Sequence, residues 1–123
     1  MLFISQQIKG KGRGKGMGVP TINLIIPKDF QLQEGVFAVT VKIDNQSFIA
    51  AMHYGPIPVF GEAQKSLEVF LLDVSDENVP ETEHKDIEVD VKKYLREIRN
   101  FPNTNELMKQ IEKDVADVKN TLQ

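Results

Sequence analysis

The sequence predicts a mainly β protein, a six-stranded antiparallel Greek-key barrel followed by a C-terminal α-helix. Three observations carry this. Short runs rich in β-branched and aromatic residues, several alternating with period two, recur over roughly the first 95 residues. Turn-forming residues separate them at short intervals. The apolar period then changes to a helical one in the last twenty or so residues. Closure is favoured over an open sheet because it removes exposed edges.

Leu2–Ile8 is the first predicted strand. Thr21–Ile26 is the second, with Ile22, Leu24 and Ile26 on one face and Thr21, Asn23 and Ile25 on the other. Val36–Ile43 follows Gly35, and Asp44-Asn45-Gln46 reads as a hairpin turn into Ser47–Met52. Leu67–Asp73 is the strongest strand, and Ile87–Leu95 comes after an acidic loop. Leu107, Ile111, Val115, Val118 and Leu122 then form one apolar helical stripe that packs on the barrel. Asn103 caps that helix, with Glu106 three residues on as the reciprocal carboxylate. Lys109, Lys113 and Asp117 face water. No repeat, linker or low-complexity tract divides the chain, so residues 1–123 are expected to form one domain.

With 41% hydrophobic and 27% charged residues and a net charge of −3, the chain is globular rather than disordered. It has no cysteine, which excludes a disulfide framework, a thiolate metal site and a cysteine nucleophile. No apolar run approaches the ~20 residues of a membrane span, and MLFISQQ is too short for a secretory signal. A cytoplasmic protein with no membrane partner is expected. Charge is unevenly spread. Before Asp29 every charged side chain is basic (Lys9, Lys11, Arg13, Lys15 and Lys28), whereas Asp73 to Asp90 is acidic apart from Lys85. A basic segment on an acidic body points to a local anion site.

That segment is the glycine loop Gly10-Lys11-Gly12-Arg13-Gly14-Lys15-Gly16-Met17-Gly18. Glycines let backbone N–H groups approach an anion closely. The dinucleotide pattern G-x-G-x-x-G is absent, and Gly14-Lys15 lacks the Ser or Thr that a P-loop needs. The loop leads into a strand, so no helix dipole assists it. From the residues alone, a basic linker or a single-stranded nucleic-acid site remains an alternative. The absence of aromatics between Phe3 and Phe30 weighs against nucleic acid.

Directly after the loop comes Gly18-Val19-Pro20-Thr21-Ile22-Asn23. With its glycines and its Gly-x-Pro-Thr-x-Asn signature, this stretch resembles the riboflavin kinase family, also found as the C-terminal module of bacterial bifunctional FAD synthetases. The resemblance continues through Gly35-Val36-Phe37-Ala38-Val39, Leu67-Glu68-Val69-Phe70-Leu71-Leu72-Asp73, Leu95-Arg96, Phe101 and the helix with Leu107, Ile111 and Asp114. It implies a six-stranded barrel with a C-terminal helix and an ATP-dependent transfer of phosphate to the terminal ribityl hydroxyl of riboflavin, giving FMN. Gly10, Gly12, Arg13, Gly14, Lys15, Gly16, Gly18 and Pro20 would then bind the nucleotide phosphates. Thr21 and Asn23, two apart on a strand and so on one face, would hold the Mg²⁺ carried by ATP. Glu68, a carboxylate beside Phe70 and Leu72 on a largely apolar face, either pairs with a cation as a structural group or, in the role the resemblance implies, is the general base with its pKa raised by that setting. Arg96 and Phe101 are the weaker flavin-binding candidates. Arg96 could equally pair with the acidic loop, and Phe101 could equally belong to the core.

The chain departs from the family pattern at His53-Tyr54-Gly55-Pro56-Ile57-Pro58-Val59-Phe60, where the family has asparagine for His53 and threonine for Val59. These losses favour, as an alternative, a non-catalytic flavin- or nucleotide-binding module. The acidic loop Val79–His84 also lacks the usual Tyr-Gly, and no adenylyltransferase half is among these residues. His53 and His84 are read as structural or incidental. The expected partners are small molecules only, with no nucleic acid, for a monomer.

Overall fold

A computed structural model describes residues 1–8, 20–56, 65–99 and 101–122. Six strands and one long helix follow one another: β1 (Leu2–Ser5), β2 (Thr21–Asn23), β3 (Gly35–Ile43), β4 (Gln46–Gly55), β5 (Ser66–Leu71), β6 (Ile87–Arg96) and α1 (Thr104–Leu122). All pairings are antiparallel, in the order β1-β6-β3-β4-β5-β2. Strands β3, β4 and β5 form a meander, and β6 returns to lie beside β3, which is a Greek key. The sheet curls round on itself through the Gln7–Leu24 bridge. There Ile8 N–H donates to the Asn23 carbonyl and Ile25 N–H to that of Gln6, both at 2.9 Å.

The turns follow from their residues. Asp44 and Asn45 both take positive φ, 49° and 67°, and join Ile43 directly to Gln46. These are the residue types that tolerate the left-handed region of a two-residue hairpin turn. Lys85, just ahead of β6, pairs with Asp44 of this turn. At the helix start, the Asn103 side-chain oxygen accepts from Glu106 N–H at 3.0 Å, which is the predicted cap. The Glu106 carboxylate itself meets Lys109 Nζ at 3.4 Å.

Alternation along the strands gives the sheet two buried faces. The inner face holds Ile22, Leu24, Phe37, Val39, Val41, Ile43, Met52, Leu67, Val69, Leu71, Ile87 and Val89. Phe3, Phe30 and Tyr54 are stacked edge to face at one side of it, with centroids 5.0 Å apart. The outer face is smaller. Ala38, Ala51, Phe70 and Leu72 pack there against Leu107, Ile111 and Val118 of α1. Alanines in the middle strands let the helix approach closely, which is why one amphipathic helix can cover this face. The predicted helical stripe is present, with Lys109, Lys113 and Asp117 exposed as expected.

Candidate active site

Pro20 is buried, and its carbonyl accepts from Leu71 N–H at 2.9 Å, which fixes the chain as it enters β2. In β2, Thr21, Ile22 and Asn23 stand opposite Phe70, Val69 and Glu68 of β5. Ile22 turns inward to the main core. Thr21 and Asn23 therefore project to the outer face together with Glu68 and Phe70. Pairing of β5 with β4 then sets Glu68 opposite His53, and pairing of β4 with β3 sets His53 opposite Val36. Val36 in turn is opposite Arg96 of β6. One row across five strands thus carries Asn23, Glu68, His53, Val36 and Arg96 on the side of the sheet that α1 covers.

Glu68 is 2% exposed and Asn23 8%. Taking a carboxylate out of water costs several kcal/mol unless neighbours compensate, so a buried acid in an otherwise apolar strand is a candidate functional group. The carboxylate stands level with the Asn23 amide in register, and one pair further along β2 lies Thr21. These three side chains bring one acidic and two neutral oxygen donors to one patch. No cluster of three or more His, Asp or Glu able to hold a metal occurs among the described residues. Two neutral oxygens suit Mg²⁺, which keeps most of its shell as water and phosphate, and do not suit a metal that needs an all-protein cage.

Beside this patch opens a cleft of about 530 Å³. Gln7, Pro20, Thr21 and Ile22 line one side, and Glu77, Val79, Pro80, Glu81, Thr82 and Glu83 of the acidic loop the other. Its size is within the range of small-molecule sites. Thr21 belongs to both the cleft and the patch, which joins the two.

Arg96 does not pair with the acidic loop, the partnership left open from the sequence. Its Nε and Nη2 donate to the two carboxylate oxygens of Asp114 in α1, both at 2.8 Å, and Nη1 donates to the Glu97 carbonyl at 2.9 Å. Gln110 Nε2 donates to the same carboxylate at 3.1 Å. Asp114 is 3% exposed. A planar fork on a planar carboxylate is the strongest geometry such a pair can take. Phe101 is half-buried against the helix-side core, the packing position weighed beside its flavin role.

Sequence reasoning missed Asp114 as the partner of Arg96. The signal was available, because Leu107, Ile111, Asp114 and Val118 keep helical spacing and the acid interrupts the buried stripe. His53 is read from the sequence as structural or incidental. That side chain is half-buried, and its Nε2 donates to the Gly55 carbonyl at 2.9 Å. Burial pushes the imidazole below its ordinary pKa of 6.5, and the Arg96 charge pushes the same way. Gly10, Gly12, Arg13, Gly14, Lys15, Gly16 and Gly18 lie outside the described residues, as do Val59 and Phe60.

A family model described as riboflavin kinase matches residues 2–122. The chain belongs to the riboflavin kinase family. Among curated relatives of this riboflavin kinase domain is a bifunctional riboflavin kinase/FMN adenylyltransferase of Buchnera aphidicola. It is 35% identical over 111 residues, which is 88% of this chain and 34% of that protein. Another is the RNA-binding riboflavin kinase RibR of Bacillus subtilis, 34% identical over 110 residues, 89% of this chain and 46% of that one. A bifunctional enzyme of Haemophilus influenzae is 30% identical, with 91% and 35% covered. The chain thus spans about a third to just under half the length of these relatives. A solved structure titled as a macrolide-efflux protein from Streptococcus pneumoniae superposes with a TM-score of 0.79 over 97% of this chain and 38% of that one. At 22% identity that likeness is one of fold alone. No helix among the described residues is long and apolar enough to cross a membrane.

Proposed function

We propose that the chain catalyses ATP-dependent phosphorylation of riboflavin at its terminal ribityl hydroxyl, forming FMN, as one domain over residues 1–123. The observation that carries this is the meeting of Thr21, Asn23 and Glu68 on one face, through the β2–β5 register, at the edge of a cleft. The matching family supplies the substrate class.

In this account Glu68 accepts the proton of the ribityl hydroxyl as that oxygen attacks the γ-phosphorus of ATP in line, and ADP leaves with the bond to its β-phosphate oxygen. A buried carboxylate is suited to the task because few waters compete for it. Thr21 and Asn23 hold the Mg²⁺ that arrives with ATP, and that ion offsets phosphate charge when bound. The glycine loop Gly10–Gly18 with Arg13, Lys15 and Pro20 is the proposed phosphate cradle. In the cleft, the acidic loop repels phosphate, so the phosphates lie toward Thr21. Glu77, Glu81 and Glu83 are left to accept hydrogen bonds from the donor groups of ribose and base. Arg96 acts here by fixing α1 against the row rather than by touching the flavin, and Phe101 by packing beneath it.

As partners the account needs only ATP and riboflavin, and it places the chain in the cytoplasm as a monomer. The test is chromatographic detection of FMN after incubation with riboflavin, ATP and Mg²⁺. FMN formation supports the kinase. Tight flavin binding without any FMN selects the non-catalytic module instead. Oligonucleotide binding that weakens steeply with salt would bring back the nucleic-acid alternative.

A further inference from the structure

His53 stands directly opposite Glu68, and side chains so placed on one face lie about 4.5–5.5 Å apart at Cβ. On its other side come Val36 and then Arg96, whose carboxylate partner Asp114 descends from α1. The charged groups around the imidazole are therefore Glu68 from β5, Arg96 from β6 and Asp114 from α1. Its Nε2 is 2.9 Å from the Gly55 carbonyl. A carbonyl can only accept, so Nε2 carries the proton, and in the neutral ring Nδ1 is the acceptor. Burial and the Arg96 cation favour that neutral ring over the opposing pull of the Gly55 and Pro56 carbonyls and Asp114.

We propose that His53 is a positioning residue for Glu68: an imidazole ring, held by its Nε2–H bond to the Gly55 carbonyl, that stands in the row between the Glu68 carboxylate and the Arg96–Asp114 pair and by its bulk sets where that carboxylate sits. The proposal rests on the kinase account. His53 needs no contact with either substrate. A side chain without the ring leaves space beside Glu68, into which the carboxylate can swing toward the guanidinium and away from the hydroxyl it serves. Small displacements of a reacting group cost rate out of proportion to their size. Asparagine, the residue of the family pattern here, retains a polar donor but not the width of a ring.

Two measurements on the full chain test this. Long-range ¹H–¹⁵N correlation near neutral pH reads the tautomer of each histidine, with exposed His84 as internal reference. His53 should give the pattern of one tautomer, with Nε2 protonated and Nδ1 bare. Steady-state kinetics of FMN formation then compare wild type, His53→Ala and His53→Gln, each checked for a dispersed amide spectrum. For His53→Ala, kcat should fall by up to ~10²-fold while both KM values move by less than about threefold, and His53→Gln, which refills part of the space beside Glu68, should recover part of the loss. Should His53→Ala fail to fold, His53→Gln must itself show a kcat loss at unchanged KM. A mixed or Nδ1–H tautomer overturns the proposal, as does an active wild type whose His53 variants keep their kcat. A wild type that makes no FMN sinks the kinase account first, and this role with it.

Discussion

Arg96 and Asp114 join the end of β6 to the middle of α1 through two parallel hydrogen bonds of 2.8 Å, with both side chains largely shielded from water. Removing one partner strands the other. Asp114→Asn or Arg96→Leu should each lower stability by about 3–5 kcal/mol, whereas Arg96→Leu with Asp114→Leu should cost much less than their sum. Urea unfolding of the singles and the double checks this. If the pair only decorates the surface, all three variants will unfold together with wild type.

Stability should depend on pH through His53. Its folded pKa lies below the ordinary 6.5, so near that pH the unfolded chain binds the proton more readily. The stabilising contribution is therefore full above about 6.5 and is lost as pH falls through 6.5 toward the folded value, with a slope of at most about 1.4 kcal/mol per pH unit. Urea midpoints measured across this window should fall more steeply in wild type than in His53→Asn. Parallel curves would contradict the assignment.

Thr21 and Asn23 act as metal ligands in this account, so Thr21→Ala and Asn23→Ala should raise the Mg²⁺ concentration for half-maximal rate by about tenfold or more. The KM for riboflavin should change little. A shift in riboflavin KM at unchanged Mg²⁺ dependence would assign them to the flavin instead.

Gly35 tests the packing that holds Arg96. A Cβ on it would lie 2.5 Å from Tyr94 Cε1 and 2.9 Å from the Arg96 carbonyl oxygen. The ring can move, but the carbonyl belongs to the β3–β6 ladder, which is already irregular between Val36 and Phe37. Gly35→Ala should cost about 1–3 kcal/mol and weaken activity by shifting Arg96. Thermal unfolding beside the FMN rate measures both.

Much of the fold was legible because it is locally encoded. The alternation in Val36–Ile43, the Asp44-Asn45 turn, the Asn103 cap and the stripe from Leu107 to Leu122 each need only a few neighbouring residues. Strand β4 was read short, ending at Met52, although the alternation continues through His53 and Tyr54 up to Gly55. They belong to the strand through pairing with Glu68, Leu67 and Ser66. Strand β2 was read long. Its pattern runs on to Ile26, but its ladder with β5 ends at Asn23, and Leu24 turns to bridge Gln7. Glu68 stood out as an acid among apolar residues, and Thr21 and Asn23 through their motif. That Asn23, Glu68, His53 and Arg96 form one row was not legible, since it depends on four strand registers spread over more than seventy residues.

The most direct measurement is the single-turnover rate of FMN formation by Glu68→Gln against wild type, with saturating ATP, Mg²⁺ and riboflavin. Glutamine keeps the shape of the side chain and removes its capacity to take a proton. The account predicts a loss of ~10²–10⁴ in rate with riboflavin binding nearly unchanged. A Glu68→Gln protein that forms FMN at the wild-type rate would contradict it.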